Sequence, residues 1–305
     1  MTMLRIACVG HATLDHVFEV EALPRLPTKT PVHRYQGGAG GMAFNAAVAA
    51  ARLGAAVRLI GRVGCEPEVQ RLRDRLRAEG IEDRGLLAVP GARTSVSAIV
   101  VDARGERQIF NHRGDAIARG PALDERLLHG ADVVLADPRW VAGARQALRW
   151  AREHGVTSVF DGDVAPQPDL LALVPLARWV VFSEPGLQAF APGLDERAAL
   201  ERAIALGCEA AMVTRGEREV LWQHRGGVSR HAPVPRVEAV DTTGAGDVFH
   251  AALGIAVAEG RSDDDAVAFA AMAASLKCLR GPGVLGAPTR AAVERALRAG
   301  AEVPA

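Results

Sequence analysis

No charge of one sign prevails in this chain: 36 basic residues balance 36 acidic ones over 305 positions, and neither sign forms a long run. Nucleic acid and anionic membranes both call for a basic excess, so neither is an expected partner. Cysteine is scarce and scattered, at Cys8, Cys65, Cys208 and Cys278, with no Cys-x-x-Cys pair. That pattern fits a reducing, cytoplasmic compartment better than a disulfide framework. No apolar run reaches the length of a membrane span, and Met1–Arg5 leads into a strand without a signal-peptide pattern. The nine histidines include no zinc pattern such as His-Glu-x-x-His. Repeats, low-complexity tracts and clear linkers are lacking too. A soluble globular protein is expected.

What is present is apolar: 49 % of the residues, enough to bury a large core in a single domain spanning 1–305. Leu4–Val9, Val57–Ile60, Val133–Leu135, Ser158–Phe160, Trp179–Phe182 and Ala210–Val213 read as buried strands. Helical stretches around 67–79, 142–153 and 195–206 separate several of them. This order predicts an α/β fold, a mostly parallel sheet covered by helices on both faces. Val17–Val20, Val32–Tyr35, Val96–Val101 and Arg107–Phe110 stand outside the alternation and predict a small antiparallel sheet, the last two joined by a turn at Ala103–Glu106.

The chemistry concentrates in Asp241-Thr242-Thr243-Gly244-Ala245-Gly246-Asp247, between a strand-like run ending at Val240 and a helical segment, Val248–Val257. A Gly-Ala-Gly turn at a helix N-terminus directs several N–H groups, with the helix dipole behind them, at one anion. A carboxylate at the mouth of an anion site makes sense if something there must lose a proton, as an alcohol attacking a phosphate does. Asp15 lies just past the first strand's carboxyl end, where open α/β sheets place ligands, and its two oxygens can accept from adjacent hydroxyls; a turn-forming aspartate is the alternative. Gly37–Gly41 opens a run whose small residues permit close approach, and Asn45 offers donor and acceptor. Gly38-x-Gly40-x-x-Ala43 is not a dinucleotide fingerprint, because it does not follow the first strand. Asp161-Gly162-Asp163 follows another strand end and faces either phosphate and magnesium or solvent. His250 shares a helix face with Asp247, a packing position.

The Asp241–Asp247 string resembles the C-terminal signature of the ribokinase-like (PfkB) carbohydrate kinases, and Gly40-Gly41-x-x-x-Asn45 resembles their sugar-binding motif. The resemblance implies a three-layer α/β/α kinase with Asp247 as catalytic base and Gly244, Ala245 and Gly246 as anion hole. It also implies sugar contacts from Asp15, Gly40, Gly41 and Asn45, and a β lid formed by about 12–36 and 93–112 that often pairs two subunits, so a homodimer. Thr214-Arg215-Gly216 resembles the family's loop beside the nucleotide; an ordinary strand-to-strand turn is the other reading. Asp241 and Thr243 match positions that hold a monovalent cation such as K⁺ in many members, and Lys277–Gly283 resembles the loop completing that site. ATP and Mg²⁺ are the implied cofactors. The usual Asn-x-x-Glu near magnesium is broken at Ser183-Glu184-Pro185-Gly186, leaving Glu184 as substitute.

Lys29, Asn111 and Arg139, with Leu135–Trp140, Asp161–Asp163 and Phe182–Leu187, together resemble the bacterial sulfofructose kinases, in which such a trio grips the sulfonate. The acceptor this implies is C1 of 6-deoxy-6-sulfofructose. A neutral ketose or pentose, a sugar phosphate or a sugar acid is the alternative. A catalytically silent sugar or nucleotide sensor is the reading from another class, opposed by the intact Asp247 and its glycine turn.

Overall fold

Residues 3–27, 29–103, 106–281 and 283–300 are described by a computed structural model. The chain starts with β1 (Arg5–Gly10), β2 (Thr13–Glu19), β3 (Arg34–Gly40), α1 (Met42–Arg52), β4 (Ala56–Val63), α2 (Val69–Ala78) and β5 (Leu86–Ala88). β6 (Ser95–Val101), β7 (Arg107–His112), α3 (Ala116–Arg119), β8 (Val133–Ala136), α4 (Val141–Glu153), β9 (Thr157–Gly162) and α5 (Gln167–Leu173) follow. The remainder is β10 (Trp179–Ser183), α6 (Glu184–Phe190), α7 (Glu196–Leu206), β11 (Ala210–Arg215), β12 (Arg218–His224), β13 (Arg230–Ala232), α8 (Ala245–Ala258), α9 (Asp263–Cys278) and α10 (Arg290–Ala299).

Nine strands form one sheet in the order β13-β12-β11-β10-β9-β8-β1-β4-β5, parallel from β11 to β5 and antiparallel at the β11–β12–β13 edge. Alternation along each strand sends side chains to two cores. Trp179 and Val181 pack with α1, α8 and α9, while Val180 and Phe182 pack with α4, α5, α6 and α7. α8 is buried on every side from Val248 to Ala256, as expected of a helix held between a sheet and other helices. A Cβ on its Gly254 would lie 3.0 Å from Leu135 and Val133, so glycine lets the helix settle onto β8.

The second sheet runs β3-β2-β6-β7. Its outer pairings are antiparallel as expected, while the central β2–β6 pairing is parallel. β2 starts at Thr13 rather than Val17, and β3 runs through the glycines to Gly40, so Asp15 and Gly40 belong to strands and not to loops. The ladder explains this: Thr13–Glu19 is paired on both sides, and backbone pairing does not depend on side chains. The Ala103–Glu106 turn has its centre, Arg104 and Gly105, outside the described residues.

Candidate active site

Segment 233–240 carries Pro233 and Pro235 and is irregular, not the strand expected up to Val240, because proline gives no N–H to a ladder. Val240 and Asp241 instead donate their N–H groups to the Cys278 carbonyl, at 2.8 and 3.2 Å. Gly244 then turns the chain with φ +80°. A Cβ there would touch Asn45 Nδ2 at 3.6 Å and Asp247 Oδ2 at 3.7 Å, ordinary contact distances, so it is the turn that calls for glycine. α8 begins at Ala245, three residues before the expected Val248, which puts Asp247 in its first turn. The Ala245 N–H is spent on Thr242 O at 3.2 Å. Gly246 and Asp247 present theirs at the helix end, where no carbonyl one turn back can accept them.

Asp247 is partly buried and accepts a hydrogen bond from Asn45 Nδ2 at 2.8 Å. Asn45 lies within the first turn of α1, which starts at Met42 instead of Ala46. Burial and then the nearby Asp161 carboxylate hold the Asp247 pKa well above the usual range, with Asn45 opposing. Asp161, near the end of β9, is pushed up to about 6, chiefly by burial. His250 packs in the core as expected, and its Nε2 also faces Asp161 Oδ1 at 3.6 Å. Ligating atoms of Asp161, Asp247 and His250 all lie within 4.8 Å of one another.

Three carboxyl-end residues complete this wall. Asp163 accepts from Arg139 Nη2 at 2.9 Å and from Ser183 Oγ at 2.8 Å, and its N–H donates to Asp161 Oδ1 at 3.1 Å. Arg139 Nη1 also reaches Val164 O at 2.5 Å. Asp137, unmentioned among the sequence candidates, is buried and accepts the N–H groups of His11, Ala43 and Arg139 at 2.7, 3.1 and 2.8 Å. It ties together the ends of β1 and β8 and the start of α1. A Cβ on Gly10 would come within 2.1 Å of it. The signal was available: Asp137 directly follows β8, at the strand end where open α/β sheets place ligands.

On the small sheet, register lines up Gly38, Asp15, Ser97 and Asn111 across four strands. Burial pushes the Asp15 pKa up to about 6, against a hydrogen bond from Ser97. Asp15 Oδ1 is buried without a partner, an acceptor still to be met. Gly40 leaves room for this side chain, since a Cβ there would sit 2.0 Å from Asp15 Oδ2. Gly41, at φ +104°, caps α1 with its Cβ position 2.5 Å from His11 O. A cavity of about 670 Å³ opens between this sheet and the loops at 240–243 and 281–285, lined by Asp15, Val17, Gly38, Ile99, Asp241 and Thr243 among others. Arg107 of β7 spans to Thr242 Oγ1 at 2.5 Å.

The anion-gripping trio is not assembled. Asn111 Nδ2 is bound to Ser95 and Ser97 Oγ at 3.1 and 3.2 Å, and Arg139 is engaged with Asp163. Lys29 is exposed on the connection from β2 to β3. Arg139 and Arg113, the latter not foreseen, do act together on buried His11, whose pKa is lowered to about 4 by burial first and by these two charges second.

Thr214 ends the parallel part of β11 with Oγ1 on Phe182 O at 3.3 Å, and Gly216, φ +64°, turns the chain into β12. The segment joins β11 to β12 at the carboxyl end of the parallel strands. Glu184 stands on the same side, its carboxylate paired with Arg218 of β12 and apart from the Asp161–Asp247–His250 group. Asp241 Oδ1 accepts from Thr243 N at 2.8 Å and Oδ2 from Gly283 N at 2.5 Å, and Lys277 Nζ donates to Asp241 O at 2.5 Å. Pro282 of that loop lies outside the described residues.

A carboxylate beside N–H groups at a helix end suits proton removal from a hydroxyl next to an anion, and a second carboxylate with an unmet oxygen, Asp15, lines the cavity bordered by Asp241 and Thr243. The profile of the pfkB family carbohydrate kinases matches residues 3–290. The chain belongs to that family. It is 29 % identical to a ribokinase of Bacillus subtilis (strain 168) over 301 residues, covering 97 % of this chain and 100 % of that one. With fructokinase-1 of Zea mays it shares 28 % over 237 residues, 70 % of this chain and 72 % of the relative. Among solved structures, a protein from Agrobacterium tumefaciens provisionally assigned as a ribokinase superposes with TM-score 0.92 at 34 % identity, over 98 % of both chains. An Arabidopsis thaliana ribokinase complexed with ribose and ATP shares the fold, with TM-score 0.84 at 24 % identity over 98 % of this chain and 99 % of that one. This pfkB protein is therefore a carbohydrate kinase. Among its described residues no helix is long and apolar enough to cross a membrane.

Proposed function

We propose that this kinase transfers the γ-phosphoryl group of ATP to a hydroxyl of a small sugar, with Asp247 as the base. The observation that carries the reading is the Asp247 carboxylate itself, desolvated, steadied by Asn45 at 2.8 Å and set in the first turn of α8. Burial raises its proton affinity, as a base requires, and the N–H groups of Gly246 and Asp247 meet the charge that gathers on the transferring phosphoryl, while Ala245, whose own N–H is spent on Thr242, shapes the turn. Asp15 and Asn45 hold the sugar, with Gly40 and Gly41 letting it approach the backbone. The nucleotide extends toward Thr214 and Gly216, with Glu184 beside them. A cleft of about 1170 Å³ next to them in sequence, bordered by Arg215, Arg218 and Arg236 and also by Glu217, Glu219 and Glu238, leaves space on that side.

Magnesium would find a hard carboxylate donor of the kind it prefers in Asp161, beside the Asp247 base. When bound it neutralises phosphate charge. The small sheet acts as lid, and its exposed Tyr35, Ile109 and Phe110 support a homodimer through that sheet.

A neutral ketose or pentose is the acceptor favoured, since the cavity beside Asp15 offers hydroxyl acceptors and the relatives named above are ribokinase and fructokinase. One observation favours a second reading, C1 phosphorylation of 6-deoxy-6-sulfofructose: the paired field of Arg139 and Arg113 at His11 suits an anionic end. A kinase assay with ribose, fructose, sulfofructose and fructose 6-phosphate tests both. Turnover of ribose or fructose with none of sulfofructose leaves the neutral reading. In the opposite case Arg139→Ala raises KM for sulfofructose far more than for fructose. No phosphorylation of any sugar removes the proposal.

A further inference from the structure

We infer that Lys277 fills, with its own ammonium, the place expected for a monovalent cation, so that this kinase needs no K⁺. The inference rests on the chain being a kinase, not on which sugar it accepts. Lys277 sits in the last turn of α9, and its side chain has 0 % exposure. A lysine taken wholly out of water must have its charge met by oxygens. Its Nζ lies 2.5 Å from Asp241 O, 3.4 Å from Asp241 Oδ2 and 3.5 Å from Arg280 O. These are the oxygens that would have to replace the hydration shell of an alkali ion bound at Asp241. They already accept from a fixed cation, and an ion placed beside that ammonium would meet a like charge at short range. The residues present therefore do not fit K⁺.

The tether also has a purpose next to the chemistry. Asp241 is held from four directions: by Lys277, by Thr243 N at 2.8 Å, by Gly283 N at 2.5 Å and, through its own N–H, by Cys278 O at 3.2 Å. Gly244 follows three residues later and Asp247 three after that. Lys277 touches none of the reacting groups; it is a positioning residue that fixes the approach to the glycine turn. A dissociable ion does the same only in proportion to its concentration, whereas a covalently attached one is always there.

The test compares the intact protein in K⁺, Na⁺ and choline chloride at equal ionic strength. Melting temperatures are expected to coincide, since an ion that bound only the folded state would raise them. Turnover with any sugar that is phosphorylated is expected to agree within about twofold, and activation by K⁺ of about fivefold or more overturns the inference, as does a K⁺-specific rise in melting temperature. Lys277→Ala is expected to lose about tenfold or more in kcat in choline, with sugar KM little changed, and to regain it with ammonium or K⁺, whereas Lys277→Arg stays insensitive. A folded Lys277→Ala that turns over normally in choline sinks the idea. Should that variant not fold, the wild-type measurements decide. Should no sugar be phosphorylated, the melting temperatures decide alone, separating failure of this inference from failure of the proposed reaction.

Discussion

Asp247 and Asp15 are both carboxylates whose pKa is raised by burial, yet the geometry assigns them different work. Asp247→Asn removes the base while keeping the shape, and kcat is expected to fall by about two to four orders of magnitude with sugar KM nearly unchanged, measured by steady-state kinetics. Asp15 differs because its charge is wanted for binding. Its pKa lies near 6 in the folded chain against 3.8 for the free group. The folded state thus holds the proton more tightly, and stability contributed by this group falls as pH rises from about 4 to about 6. Above that window the ionised side chain costs about 3 kcal/mol. Asp15→Asn is therefore expected to melt higher than wild type at pH 7.5 and close to it at pH 4, while its sugar KM rises. A variant that melts lower at pH 7.5 contradicts the account. Both residues were legible in the sequence because each adjoins a glycine-rich or strand-end signal. Asp137 carries the same signal and went unread; only folded contacts reveal that its two oxygens take three N–H groups from separate elements.

At the level of elements, the start of α8 is the decisive one. Gly244 adopts φ +80° with a Cβ position at ordinary contact distance from Asn45 and Asp247, whereas Gly216 adopts φ +64° with nothing within 4 Å of its Cβ position. Gly244→Ala is expected to lose about 1 kcal/mol of stability and, because the strained turn carries Asp247, at least about tenfold in kcat. Gly216→Ala carries the same backbone cost away from Asp247, so denaturant unfolding with kinetics on both separates the two effects. Helix starts were the least legible feature. α1 and α8 each begin earlier than their apolar periodicity, because small residues such as Ala43, Ala245 and Gly246 hardly mark a face yet accept helical geometry once the caps Gly41 and Gly244 turn the chain. The expected strand ending at Val240 failed for the opposite reason: its composition suits a strand, but Pro233 and Pro235 break the donor series.

For the whole molecule, alternation of apolar runs with amphipathic helices foretold two faces of cover over a parallel sheet, since buried parallel strands leave near-continuous apolar runs. Strand order was beyond it, because nothing local in β1 names β8 and β4 as its neighbours. The small sheet leaves Tyr35, Ile109 and Phe110 exposed by 53, 52 and 62 %, and β7 is an edge strand exposed at every residue. Edges of that kind invite pairing. Light scattering is expected to give twice the chain mass for the wild type and a single chain mass for Phe110→Asp; a monomeric wild type at micromolar concentration removes the dimer. The carboxylates of Asp137, Asp161 and Asp163 have a further meaning at this scale, for all three raise the proton affinity of Asp247. Arg139 on Asp163 and His250 beside Asp161 offset only part of this, so the cleft is a compressed spring of like charges that an entering cation would ease. Loading relieves it. Part of the free energy that would settle an incoming cation is thus set aside when the polypeptide folds.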